Sequence, residues 1–222
     1  MSTAAWTQTD EGFLRAHQWA GALAGGAALP QEASPVRLGP GEVAHARLAP
    51  VGLSGFFGED TGYRPSFLLV GGPVGLALTG VASVARNQSK KAEAQRAAQP
   101  RWHDLGTADV VLTGQRLVVI ARGKTESLWH AETPPPALAP SPRGIPALQL
   151  QPNGMPLLRM ESPWAPLAYV FIHHLVNGSP PGVPLPAGLL DRAAAAGRPG
   201  AGGQRPSTTA IRPDCPAAAS AA

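Results

Sequence analysis

Two β-hairpin patterns in the second half of the chain constrain its fold more than any other feature of the sequence. In the first, two runs rich in Val, Leu and Ile flank Gly114 and Gln115 within residues 108–121. Glycine at the first central position is typical of a type II′ turn. A further run at residues 127–131 follows another turn-forming stretch, so the pattern predicts a three-strand antiparallel meander.

The second hairpin pattern centres on Asn153 and Gly154, which supply the two positive-φ positions of a type I′ turn. Between the two hairpins, residues 133–146 form a loop whose prolines exclude a central strand. Near the start of the chain, residues 42–48 alternate between two sets of side chains as a half-buried strand does. A glycine-rich turn is expected after that strand, over residues 52–63.

A capped amphipathic helix is predicted after the second hairpin. Ser162 suits the N-cap, Pro163 suits the first helical position, and Gly178 follows the expected end of the helix. Five side chains form one apolar stripe at helical spacing: Trp164, Leu167, Ala168, Phe171 and Leu175. A stripe of this kind is buried against the rest of a domain, so the helix is expected to close the β-rich fold.

Composition and pattern divide the chain into segments. Residues 1–39 are predicted to be an N-terminal extension with one helix, near residues 11–23. Residues 40–177 are predicted to form the β-rich domain, with an insertion at residues 63–100.

The end of the chain, residues 178–222, is rich in Pro, Gly and Ala and has few large apolar side chains. Such a segment cannot bury enough apolar surface to offset the entropy lost on ordering. We therefore predict a disordered tail, apart from a short helix within residues 187–196.

A charge-free run at residues 66–85 has three interpretations. The glycine spacing does not fit a dinucleotide loop, and Val81 stands where a P-loop requires lysine, so a nucleotide site is excluded. The run matches the ~20 residues that cross a bilayer, but it is also consistent with a segment packed on the domain's own sheet. The apolar residues of the membrane candidate are Phe67, Leu68, Leu69, Val70, Leu76 and Leu78.

A basic cluster follows this run directly. Residues 86–101 carry five positive charges and one negative charge, a net charge of +4. This equals the net charge of the whole chain, which is also +4. The cluster predicts contact with a polyanion such as anionic lipid, although a solvated helix face is a common alternative. The candidate binding residues are Arg86, Lys90, Lys91, Arg96 and Trp102. Trp102 could anchor at a headgroup layer or stack on a base, although a core position is the commoner explanation of a tryptophan.

The sequence shows no set of residues typical of an enzyme. Cys215 is the only cysteine, so an intramolecular disulfide or a thiolate metal site is excluded. The six histidines form no HExxH motif, and no G-x-S-x-G nucleophile pattern accompanies them. We therefore expect no catalytic residues, no metal site and no cofactor.

The pattern resembles the bacterial PH-like and GRAM-like domains. Leu112, Thr113, Arg116 and Leu117 match the local signature of these domains, and Trp129 stands where they often carry a tryptophan on the next strand. More narrowly, the apolar run, the basic stretch, "LTGQRL" and "SPWAPL" together are similar to a family from GC-rich bacteria with no assigned activity.

The resemblance implies a mainly β (α+β) fold. It would be a PH-like, partly open barrel of about seven antiparallel strands, with a C-terminal capping helix and an inserted apolar and basic helical segment. Related domains bind lipid headgroups or peptides and are not enzymes.

The expected function is that of a non-enzymatic PH/GRAM-like adaptor in the cytoplasm, attached to the inner face of the cell membrane. It would bind anionic lipid, an unknown protein partner, or both. The alternative is a soluble protein-interaction module with no membrane or lipid role. Nucleic acid is a less favoured partner, and the chain could also form a homo-oligomer.

Overall fold

The computed structural model describes residues 5–58 and 99–198, which form seven antiparallel strands and three α-helices. The strands are β1 (Ala44–Phe57), β2 (Arg101–Thr113), β3 (Arg116–Ala121), β4 (Lys124–Trp129), β5 (Ala137–Pro140), β6 (Pro146–Leu150) and β7 (Leu157–Glu161). The helices are α1 (Gln8–Ala24), α2 (Ala165–Asn177) and α3 (Leu189–Ala195), and a short 3₁₀ turn spans His130–Glu132.

All seven strands belong to one open sheet with the order β4-β3-β2-β1-β7-β6-β5. The central strand β1 pairs with β2 along most of its length and with β7 over Gly52–Phe56. The expected mainly β, α+β class is therefore confirmed, and so is the meander of β2, β3 and β4.

The strand predicted at residues 42–48 is much longer than expected. β1 continues to Phe57, so the predicted glycine-rich turn at residues 52–63 is wrong for its first six residues. Gly52 and Gly55 lie where β1 is bonded on both sides, and this pairing outweighs the low strand propensity of glycine. β2 likewise begins at Arg101, seven residues before the predicted start.

The first hairpin has the predicted two-residue loop but not the predicted turn type. Gly114 is not among the positive-φ glycines of the described chain, as a type II′ turn would require. The Thr113 hydroxyl instead accepts hydrogen bonds from the backbone N–H groups of Gln115 and Arg116, at 3.2 and 3.0 Å. The next turn, between β3 and β4, has positive φ at both Arg122 (51°) and Gly123 (74°), the pattern of type I′.

The Asn153-Gly154 turn also differs from the prediction. Residues 151–156 separate β6 from β7, so the loop has six residues instead of two. Gly154 has a φ of 71°, but Asn153 is not in the positive-φ region, and the N–H of Met155 bonds the carbonyl of Pro152 at 3.1 Å. β5 lies inside the predicted proline loop and pairs with β6 alone among the described strands, which suits an edge strand.

The core lies between one face of the sheet and helices α1 and α2. Phe171 of α2 is fully buried and meets Trp19 of α1 edge-on, with ring centroids 5.5 Å apart. The predicted closing helix is confirmed, as is its end at Gly178, which has a φ of 71°. Its start is two residues later than predicted: the N-cap is Trp164, and Ser162 accepts a hydrogen bond from the Trp164 N–H at 3.2 Å.

The two flanking segments contribute to this fold. The helix expected near residues 11–23 is α1, which begins at a Thr7–Asp10 capping box and buries Leu14 in the core. The short helix expected within residues 187–196 is α3, whose Arg192 pairs with Asp10 at 2.7 Å. Most of the predicted insertion and residues 199–222 lie outside the described residues, so the division into segments stays a prediction.

Candidate functional site

Most of the predicted site residues fall outside the described part of the chain. This holds for the membrane candidates Phe67, Leu68, Leu69, Val70, Leu76 and Leu78 and for the basic residues Arg86, Lys90, Lys91 and Arg96. No helix among the described residues is long and apolar enough to cross a membrane. Trp102 is the one predicted site residue with a described position.

Trp102 lies on the face of the sheet opposite the helices, at the start of β2. Its backbone is opposite Phe56 of β1, and the two rings are tilted with centroids 5.4 Å apart. Leu53 of β1 is buried in the core, whereas Phe56, three residues later on the same strand, is 38% exposed. The two aromatic side chains therefore form a pair on the outer face, next to the strand ends that lead into and out of residues 59–98.

Arg159 of β7 completes this outer-face cluster. Its guanidinium carbon lies 3.7 Å from the centre of the Trp102 ring, a close cation–π contact. Arg159 is only 9% exposed, and its buried Nε has no hydrogen-bond partner. Within the described ranges no carboxylate forms an ion pair with it, which is unusual because buried charges are normally paired.

Two acidic residues on the same face are held by a different arginine. Arg143 lies 3.5 Å from the buried carboxylate of Glu161 and 3.6 Å from the exposed carboxylate of Asp104. Asp104 also accepts a hydrogen bond from the backbone N–H of Gly106 at 2.8 Å. Both acids therefore contact Arg143, and no ion pair joins either of them to Arg159 among the described residues.

A second arginine, Arg116 of β3, is paired in full. Its Nε and Nη2 each donate to the carboxylate of Glu42 at 2.9 Å, which is the bidentate geometry of a strong ion pair. Its Nη1 donates to the Ser127 hydroxyl at 2.8 Å, and its guanidinium lies 4.9 Å from the Trp129 ring centre.

Glu42 receives two further hydrogen bonds. The Thr113 hydroxyl donates at 2.6 Å and the Gly39 N–H at 2.8 Å. The hydrogen bonds from Arg116 are the main reason that the pKa of Glu42 falls from 4.5 to about 2, although burial opposes them. The residues that carry the PH-like resemblance, Thr113 and Arg116, therefore form a buried clamp with Glu42, and we assign them a structural role.

His130 lies beside this clamp. Its Nε2 is 3.0 Å from the Thr113 carbonyl, and burial lowers its pKa. The described residues contain no group of three or more His, Cys, Asp or Glu side chains that could hold a metal ion.

The cavity between the sheet and α2 is too small for a lipid or a metabolite. Its volume is about 10 Å³ and its walls are apolar, including Leu117, Met160 and Ala168. This is barely the space of one water molecule. This cavity therefore holds no ligand, and the outer face with Trp102 is considered instead because it carries Arg159, a buried charge with no carboxylate partner among the described residues.

No family model, curated protein or solved structure matches this chain. The function of the outer-face cluster therefore has to be inferred from its own residues. Sequence reasoning identified Trp102 but missed Phe56, because β1 was expected to end before it. Arg159 was also missed, and its only signal was a lone basic residue within the apolar run "LLRM".

Proposed function

We propose that the protein is a non-enzymatic, PH-like adaptor that binds anionic lipid at the cytoplasmic face of a membrane. One observation carries the proposal: Phe56 and Trp102, with Arg159 stacked on Trp102, form an aromatic and cationic cluster beside the start and end of residues 59–98. Those residues contain the charge-free run and the basic cluster.

The chemistry of both regions suits a membrane surface. Tryptophan and other amphipathic rings favour the headgroup layer. Each basic side chain near an anionic leaflet contributes about 1 kcal/mol, so Arg86, Lys90, Lys91 and Arg96 would give modest attachment that weakens with salt. Phe56 and Trp102 would add an apolar contact that salt does not weaken.

The strand order supports the PH-like part of the proposal. The first four strands form one side of the sheet, the last three form the other, and β1 joins the two sides through β2 and β7. The helix α2 follows β7 directly and covers the core. The resemblance implies a partly open barrel of two bent antiparallel sheets capped by a helix, and an open seven-stranded sheet followed by a helix is consistent with it.

Fractionation of expressing cells tests the proposed function. Membrane pellets are washed separately with high salt and with alkaline carbonate, and the protein is followed in both fractions. We expect the full chain in the pellet, with salt releasing it if the basic cluster is the main contact and neither wash releasing it if residues 66–85 are embedded. A protein that never enters the pellet would contradict the proposal.

That last outcome would favour the second candidate, a soluble protein-interaction module. Its supporting observation is Trp129, which is 39% exposed on β4, an edge strand of the described sheet. Edge strands are a common docking place for an extended peptide. Replacing Trp129 by Ala should then weaken partner binding and leave membrane pellets unchanged.

A further inference from the structure

Among the described residues, Arg159 is a buried cation with no carboxylate partner. The Trp102 ring lies 3.7 Å from the guanidinium carbon, and the buried Nε has no hydrogen-bond partner within residues 5–58 and 99–198. The neighbouring carboxylates of Asp104 and Glu161 contact Arg143. A planar guanidinium has N–H donors that match two oxygens of one anionic group.

We infer that Arg159 is the receptor for a phosphate group, and that this phosphate belongs to an anionic phospholipid; the second part rests on the proposed function. Phosphate oxygens match the guanidinium fork, and stacking on Trp102 orients the fork before the ligand arrives. Exposed Phe56 lies against Trp102 and offers an apolar surface beside the fork. A phosphate joined to an apolar body fits both features.

The charges around the Arg159 guanidinium affect how favourably a phosphate can bind there. Asp104 and Glu161 would repel an approaching phosphate, but both lie within 3.6 Å of Arg143, whose side chain is 64% exposed. Arg143 and Arg159 together balance Asp104 and Glu161, so these four charges sum to zero and recognition of a phosphate here would depend on the geometry of the guanidinium fork.

The first test uses the wild-type full chain and inorganic phosphate. The Nε–H resonance of Arg159 is assigned by NMR with the help of an Arg159→Lys variant and is followed while phosphate is added. The resonance should shift and saturate, whereas the Nε–H of Arg116, which already donates to Glu42, should not move. A resonance of Arg159 that stays unchanged would overturn the phosphate site.

The second test separates a lipid phosphate from a free one. The protein is sedimented with phosphatidylcholine vesicles with and without phosphatidylglycerol, as wild type, Arg159→Gln and Arg143→Gln. Loss of hydrogen bonds to a charged group should weaken binding by Arg159→Gln about ten- to a hundredfold. Arg143→Gln removes the same charge from the same face and should weaken binding by less than about fivefold.

The outcomes distinguish failure of the Arg159 phosphate site from failure of the proposed membrane function. Equal losses in the two variants would overturn the role of Arg159 and leave the membrane function standing. A phosphate shift without vesicle binding would keep the phosphate site but refute the lipid as its source, and with it the proposed function. If Arg159→Gln does not fold by circular dichroism, Arg159→Lys replaces it, because lysine keeps the charge and loses the fork.

Discussion

Two regions of the sheet contain the same arrangement, an arginine stacked on a tryptophan, but differ in what completes it. Near the turn between β2 and β3, Arg116 lies over Trp129 and both sides of its fork bond Glu42. On the outer face near the start of β2, Arg159 lies over Trp102 and has no carboxylate partner among the described residues. Within residues 5–58 and 99–198, the first arrangement has its carboxylate and the second does not.

The difference is the basis for assigning Arg116 a structural role and for proposing that Arg159 binds a ligand. The Glu42 carboxylate takes bonds from Arg116, Thr113 and Gly39, so no capacity is left for a ligand. Arg159 is similarly buried but keeps its hydrogen-bonding capacity. A buried charge without a carboxylate partner among the described residues is unfavourable, and the proposed phosphate would supply that partner.

The largest effect is expected from removing the acid of the complete arrangement. Glu42→Ala leaves the Arg116 charge unpaired and removes the acceptor of the Thr113 and Gly39 bonds. Breaking a buried pair on one side costs about 3–5 kcal/mol, so the free energy of unfolding in urea should fall by that amount. A loss below 1 kcal/mol would show that the clamp is not a structural element.

The pH dependence of stability provides a second comparison. Because the pKa of Glu42 falls from 4.5 to about 2 on folding, its contribution is complete above pH 4.5 and is lost as the pH falls toward about 2. The shift corresponds to about 3 kcal/mol. Urea unfolding across this range should show the loss in the wild type and much less of it in Glu42→Gln. Equal slopes in the two proteins would contradict the assignment.

His130 should add acid sensitivity at higher pH. Burial lowers its pKa below 6.5, so the folded chain binds this proton less readily than the unfolded chain does. Stability should therefore fall as the pH drops through 6.5 toward the folded pKa. His130→Asn should remove this part of the urea profile and leave the part below pH 4.5 in place.

Replacing Arg159, the arginine of the incomplete arrangement, should not destabilise the protein as replacing Arg116 does. Arg159→Met removes a buried charge that has no carboxylate to leave unpaired, so the free energy of unfolding should change by less than about 1 kcal/mol or rise slightly. Arg116→Met, the matched variant, should be several kcal/mol less stable because it leaves Glu42 buried and unpaired. Equal destabilisation of the two variants would contradict the distinction between a paired Arg116 and an unpaired Arg159.

The smallest effect should come from an exposed pair that serves as a baseline. Arg47 and Asp109 form an ion pair on neighbouring strands, with side chains 48% and 36% exposed. Exposed pairs contribute about 0–1 kcal/mol, so Asp109→Asn should change the thermal midpoint only slightly. A larger loss would mean that surface pairs in this sheet are stronger than usual and that the clamp is less distinctive.

Local patterns in the sequence predicted the parts of the fold that depend on local structure. The meander, the two-residue loop at Gly114 and the closing helix follow from alternation, turn residues and an apolar stripe. The continuation of β1 through Gly52 and Gly55 does not, because it depends on pairing with β7, about a hundred residues later in the chain.

The candidate site was less accessible to sequence reasoning for the same reason. Trp102 was identified beside the basic cluster, but Arg159 stacks on it only because β7 and β2 flank β1 in the folded sheet. Likewise, Glu42 and Arg116 are 74 positions apart, and nothing in a single sequence pairs them. Contacts between strands that are far apart in the sequence determine which arginine has a carboxylate partner among the described residues and which does not.

Measuring stability and vesicle binding together for Arg116→Gln and Arg159→Gln distinguishes a structural arginine from a phosphate receptor. We expect Arg116→Gln to lose stability but, where it is folded, to bind phosphatidylglycerol vesicles like the wild type. Arg159→Gln should keep its stability and lose binding. An Arg159→Gln protein that is as destabilised as Arg116→Gln and still binds vesicles normally would contradict the claim.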